Sequence, residues 1–272
     1  LLKSVGIPPS LPYSSDNLDM LVPLEAGPHA REVLLDLGYV ELRNVEEPHK
    51  FLFRRFRRGA TVLAVHLHEF VGWGTGFMDD DAVLRRARPA LDDPDLRIPS
   101  REDGLLITVA HAFYEDKEVK LGDIWKAAHL LRGGPLDWDL VYAQAESRGW
   151  REGLDTCVWL WAELERWLYG GHSFPEEGVR AARKRAPAFC RAYLRQRLAQ
   201  EPTFPWRISF LFSKRHYYGK IWRDEELGLA QKIADAYKHS AAGLERRLPF
   251  ASQRPMLVTL SGIDGVGKTT HA

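Results

Sequence analysis

Asn17-Leu18-Asp19-Met20-Leu21-Val22 is the stretch whose reading decides the fold of the front of this chain. The run Leu18 to Val22 (LDMLV) is short, apolar and broken by one acid, which reads as a β-strand. Side chains two apart on a strand share a face, so Asn17 and Asp19 stand together on one side of it. A second run, Thr61 to His68, ends in Val65-His66-Leu67-His68. By the same spacing His66 and His68 share a face, and they would meet Asp19 if the two strands were neighbours.

Working outward, Glu25 to Leu37 carries Ala30, Val33, Leu34 and Leu37 at helical spacing and is closed by Gly38, so a helix with a glycine stop is expected. Tyr39 to Val45 and Phe51 to Phe56 read as strands, and Gly59 supplies a hairpin turn before Thr61 to His68. From about Asp79 the pattern turns helical. Ser100 with Asp103 resembles a capping box opening a helix lined by Leu105, Leu106, Val109, Ala110 and Phe113. Further helical stripes fall in Ile124 to Leu131, Leu140 to Ala145 and Leu154 to Leu168, at spacings suited to an antiparallel bundle. Residues 176–199 are helical but meet Pro187, which either kinks one helix or starts a second. A last helical stretch covers roughly Asp224 to Arg247, before the linker-like Leu248-Pro249-Phe250 and Gln253-Arg254-Pro255. The expected class is α+β: a small mixed sheet with helices over residues 1–75, a helical bundle extension over 76–250, and a distinct segment over 251–272.

The composition bounds the partners. Lys and Arg number 38 against 37 Asp and Glu, so the net charge of +1 gives no global pull toward nucleic acid or anionic membrane, and neither is an expected partner. No run approaches the roughly 18 apolar residues that cross a bilayer. A cytoplasmic location is the default. Cys157 and Cys190 are the two cysteines, without a CxxC partner, and read as buried reduced thiols. Oligomeric state is not legible.

The last segment carries the sharpest motif. Met256 to Leu260 (MLVTL) is an apolar strand-like run, and Gly262-Ile263-Asp264-Gly265-Val266-Gly267-Lys268-Thr269 follows it in the pattern G-x-x-x-x-G-K-S/T. Glycines let backbone N–H groups converge on phosphate oxygens. Lys268 would neutralise β- and γ-phosphate charge, and the Thr269 hydroxyl would ligate Mg2+. The string Ser261 to Thr270, with Asp264 and the second threonine Thr270, resembles the thymidylate kinase family. That resemblance implies a P-loop α/β domain, ATP and Mg2+ as cofactors, a nucleotide substrate, and Asp264 on the sugar hydroxyl of a nucleoside monophosphate. Gly265 stands where one subgroup has arginine, which implies that the catalytic arginine comes from a lid segment. The motif stops at His271-Ala272, and Leu1 is not methionine, so the chain reads as an excerpt whose kinase domain is cut after its first strand and loop.

The front of the chain resembles the uncharacterised bacterial nucleotidyltransferases related to the DNA polymerase beta superfamily. That resemblance implies two carboxylates at i and i+2 on one strand and a third on a neighbouring strand, together holding two magnesium ions against a nucleoside triphosphate. The expected strings are roughly D-L-D-L-L-V and V-D-L-H. Here Asn17 stands for the first aspartate and His66 for the third, leaving Asp19 as the carboxylate of the set. Asparagine is a weak magnesium ligand and histidine prefers softer metals, so the expectation is a nucleotidyltransferase fold whose chemistry has been lost. Asp16 is out of register to compensate. Asp19, His66 and His68 make either a zinc or manganese site or a set of hydrogen-bonded strand residues.

The expected activity of the whole is ATP- and magnesium-dependent phosphoryl transfer to a nucleoside monophosphate, with the front domain regulating or docking. Two alternatives stand beside it: an active nucleotidyltransferase using Asp19, and a non-catalytic, nucleotide-dependent interaction module. The basic clusters Arg54-Arg55-Phe56-Arg57-Arg58 and Arg183-Lys184-Arg185 with Arg191, Arg195 and Arg197 read as solvated faces paired with acids. Trp159, Trp161 and Trp167 read as core.

Overall fold

The structure is a computed structural model that describes residues 17–42, 44, 49–58, 60–71, 77–90, 94–200, 203–208, 218–219, 222, 228–234 and 236–237. The chain divides into two compact units, Leu1–Tyr217 and Tyr218–Ala272. In the second, residues 229–234 are helical within the expected stretch, and Lys232 Nζ donates to the Trp222 carbonyl at 3.1 Å.

The first unit opens with β1 (Leu18–Leu21), a 3-10 turn at Leu24–Ala26 and α1 (Gly27–Asp36). Pro23 and Pro28 flank the start of this helix, and the chain therefore enters it through the tighter turn rather than as one helix from Glu25. Gly38 closes it at φ +80°, the left-handed stop that glycine adopts without steric cost. Three strands follow: β2 (Val40–Leu42), β3 (Lys50–Arg57) and β4 (Ala60–His68). The sheet order is β1-β4-β3-β2, with β1 parallel to β4 and the other pairs antiparallel, so the sheet is mixed as expected. Arg57 pairs with Ala60, which fixes a two-residue hairpin turn whose first residue, Arg58, has φ +52°. Gly59 lies outside the described residues.

Alternation sorts the sheet into two faces. Leu18, Met20, Phe51, Phe53, Val65 and Leu67 form a core with Ala30 and Leu34 of α1. On the opposite face Leu21 packs against the helical core. That second core is built by α2 (Asp80–Arg86), α3 (Arg101–Ala110), α4 (Leu121–Arg132), α5 (Trp138–Ser147), α6 (Arg151–Tyr169), α7 (Glu176–Arg185) and α8 (Ala188–Leu198). Pro187 starts α8 rather than kinking a longer helix. Short two-residue pairings, β5 (Arg88–Pro89) with β6 (Arg97–Ile98) and β7 (Glu118–Val119) with β8 (Trp206–Arg207), pin the connections.

Several expectations shift in detail. Ser100 caps α3, its hydroxyl accepting from Asp103 N at 3.1 Å and donating to Asp103 Oδ2 at 2.8 Å. The Asp103 carboxylate is fully buried and grips Arg86 through two bonds of 2.9 and 2.6 Å, so the capping residue also anchors α2. After Ala110 the helix widens into a π-helical turn, His111–Asp116, ended by Lys117 at φ +57°. Trp159 and Trp161 are core residues, whereas Trp167 is half exposed, because it lies on the solvent side of α6. Cys157 and Cys190 are buried and not joined in a disulfide, and burial pushes the Cys157 thiol well up.

Candidate functional site

The β1/β4 pairing sets the site. Parallel register places Asp19 opposite His66 and Leu21 opposite His68, so the carboxylate and both imidazoles rise from one sheet face. Asp19 Oδ1 lies 3.2 Å from His66 Nδ1 and 3.1 Å from His68 Nε2. One ligand atom from each of the three residues falls within 4.8 Å of the other two. The juxtaposition that the two sequence strings leave open is thus realised by strand order: β4 returns beside β1 rather than at the sheet edge.

Asn17 completes the cluster. Its Nδ2 donates to Asp19 Oδ1 at 3.0 Å and lies 2.9 Å from His66 Nδ1. Sequence reasoning treats Asn17 as a weakened ligand position; the structure places its amide between the carboxylate and the imidazole. The Asp19 carboxyl is held well below the usual carboxylate range. Partial burial alone would raise it, but hydrogen bonds with His66 and His68, reinforced by their charge, outweigh that cost.

The cluster has an open side and a covered side. Asp19 is 62% exposed at its side chain, while His66 and His68 are 27% and 15% exposed, so the histidines form the floor and the carboxylate the rim. In the β3/β4 ladder Leu52 pairs with His66 and Lys50 with His68, which puts a lysine position beside the cluster on the same face. Nearby His49 Nδ1 meets Glu69 Oε2 at 2.7 Å, and Glu69 in turn packs against Gly27, fixing the end of β4 against α1.

Among the described residues, the other candidate clusters do not join this site. Gly262, Asp264, Gly265, Val266, Gly267, Lys268, Thr269 and Thr270 lie outside the described residues, as does Asp16. Four arginines of the basic stretch on α7 and α8, Arg183, Arg185, Arg191 and Arg197, make internal contacts, while Lys184 and Arg195 are exposed. Arg185 binds the buried Asp155 carboxylate through bonds of 2.7 to 3.2 Å, Arg183 and Arg197 lie over the Trp159 and Trp206 rings, and Arg191 donates to the carbonyls of Lys184 and Ala186. Arg54, Arg55, Arg57 and Arg58 are exposed on the β3 hairpin, and Arg55 and Arg57 border a hollow of about 490 Å³ with Tyr39, Phe56 and Leu63. That hollow sits away from Asp19, at the far end of the β3/β4 ladder.

A family model described as an uncharacterised nucleotidyltransferase matches residues 14–165, more than half of the chain. No curated protein and no solved structure matches it. Among the described residues no helix is long and apolar enough to cross a membrane.

Proposed function

Because the chain belongs to the uncharacterised nucleotidyltransferase family, we propose that its front domain keeps the nucleotidyltransferase frame without two-magnesium nucleotidyl transfer, and serves to regulate or dock nucleotide chemistry carried elsewhere. The carrying observation is the donor set on β1 and β4. Two-metal transfer needs carboxylates that bridge two hard cations and neutralise a triphosphate. At the three expected positions stand Asn17, Asp19 and His66; the amide donates to the single carboxylate, and His66 Nδ1 lies within hydrogen-bond distance of both groups. One carboxylate among amide and imidazole donors does not fit a magnesium pair.

The phosphate-loop string Gly262 to Thr269, through its resemblance to the thymidylate kinases, supports ATP-dependent phosphoryl transfer to a nucleoside monophosphate as the activity of the whole protein. One assay reads both domains. The whole natural protein is incubated with Mg2+, each nucleoside triphosphate and nucleoside monophosphate acceptors, and the products are resolved. The expected product is a nucleoside diphosphate pair, lost in Lys268→Ala, with no pyrophosphate above background. Magnesium-dependent pyrophosphate release that disappears in Asp19→Ala would overturn the reading of the front domain.

A further inference from the structure

We infer that Asn17, Asp19, His66 and His68 form a mononuclear site for a borderline divalent cation of the zinc type, in place of the hard magnesium site of the parent frame. The inference rests on the family reading for its frame, and on this chain's own donors for the metal. Two imidazole nitrogens and one carboxylate oxygen are the donor types that zinc takes, at bond lengths near 2.0 to 2.2 Å. Tetrahedral donors at that bond length stand about 3.4 Å apart. Asp19 Oδ1 is 3.2 Å from His66 Nδ1 and 3.1 Å from His68 Nε2, and the three donors lie within 4.8 Å of one another, so side-chain rotations that open the carboxylate contacts slightly and draw the imidazoles together receive the ion.

The sheet supplies the preorganisation. Asp19 and His66 are register partners across a parallel ladder, and His68 follows His66 by two residues on the same strand, so none of the three depends on a loop for its position. Asn17 supplies either a second support or a fourth donor. In the geometry above its Nδ2 bonds Asp19 and His66; turning the amide about its last torsion puts the carbonyl oxygen in that place, facing the same centre. The exposed side of Asp19 leaves room for water or an anionic group at the open coordination position. Imidazole donors favour zinc and its neighbours over magnesium, and replacing two carboxylates by neutral donors lowers the attraction for hard cations further.

The test is metal binding by the purified full chain, stripped with chelator and titrated separately with ZnCl2, CoCl2 and MgCl2 by calorimetry and visible absorption. One zinc per chain is expected, with affinity falling by at least the roughly 10- to 100-fold that loss of a ligand's supporting partner costs in each of Asp19→Asn, His66→Gln and His68→Gln. Cobalt should give the intense visible bands of a four-coordinate ion, and these should vanish in His66→Gln. Circular dichroism of each variant separates ligand loss from misfolding, and the three variants together protect the test against one that fails to fold. Absence of stoichiometric zinc in the wild type, or zinc binding unchanged in all three folded variants, overturns the inference. Both outcomes are independent of pyrophosphate release, so failure here and failure of the functional reading are told apart.

Discussion

Gly153→Ala should destabilise the protein by about 3 kcal/mol, against the usual direction for glycine inside a helix. Gly153 lies in the first turn of α6, where alanine ordinarily gains about 1 kcal/mol through helix propensity. A Cβ at this position, however, would sit on the Tyr114 hydroxyl, far inside van der Waals contact, with the ring carbons next in line. Tyr114 cannot swing aside cheaply. It belongs to the π-helical turn after α3, and its ring is wedged against Phe77, Phe113 and Trp150 at centroid distances of 4.7, 5.4 and 6.0 Å. Trp150 is itself fixed by a 2.8 Å bond from Nε1 to the Phe77 carbonyl. Overpacking a tight core costs about 1 to 3 kcal/mol and sometimes more; an overlap this severe puts the cost at about 4 kcal/mol, which leaves about 3 kcal/mol after the propensity gain. In thermal unfolding followed by circular dichroism, the midpoint should fall by about 6 to 12 °C.

Gly104 in α3 gives the matched contrast. A Cβ there meets only the Leu130 methyl groups at 3.6 Å, an ordinary contact, so Gly104→Ala should be neutral or stabilising by up to about 1 kcal/mol. Equal effects of the two substitutions would mean that α6 and the Tyr114 turn are not packed as described.

The same pair of helices shows what a sequence does and does not disclose. The apolar stripe of Leu154 to Leu168 announces α6, and Ser100 with Asp103 announces the start of α3, because propensity, capping and periodicity are local properties. The π-helical turn at His111–Asp116 and the close approach of Tyr114 to Gly153 are not announced, since they arise from how two distant helices meet. The buried pairs Arg86 with Asp103 and Arg185 with Asp155 are of the same kind. An acid among apolar residues hints at a partner, but no spacing rule names it. In the site, period-2 alternation places His66 beside His68 from the sequence alone. Their meeting with Asp19 needs the sheet order β1-β4-β3-β2, which is a tertiary fact. The role of Asn17 was the least legible: as a letter it is a lost carboxylate, and as a side chain it bridges two of the three donors.

Restoring carboxylates at the proposed degenerate positions should have the second large effect. Adding two carboxylates to the β1/β4 face in Asn17→Asp with His66→Asp raises the carboxylate count from one to three on a backbone already held in register, as Asp19 opposite position 66 shows. Affinity for magnesium grows with the number of charged oxygen donors. Against this, three carboxylates at such short range repel one another, so the variant should lose some stability in the absence of metal and regain it when the cation binds.

Calorimetric titration of Mg2+ into the wild-type chain and into that double variant, at one ionic strength and neutral pH, therefore tests the proposal that Asn17 and His66 leave this nucleotidyltransferase frame without a magnesium pair. No saturable magnesium binding by the wild type is expected in the millimolar range, with affinity at least about tenfold tighter in the variant. Two equivalents of magnesium bound by the wild type, as tightly as by the variant, would contradict it.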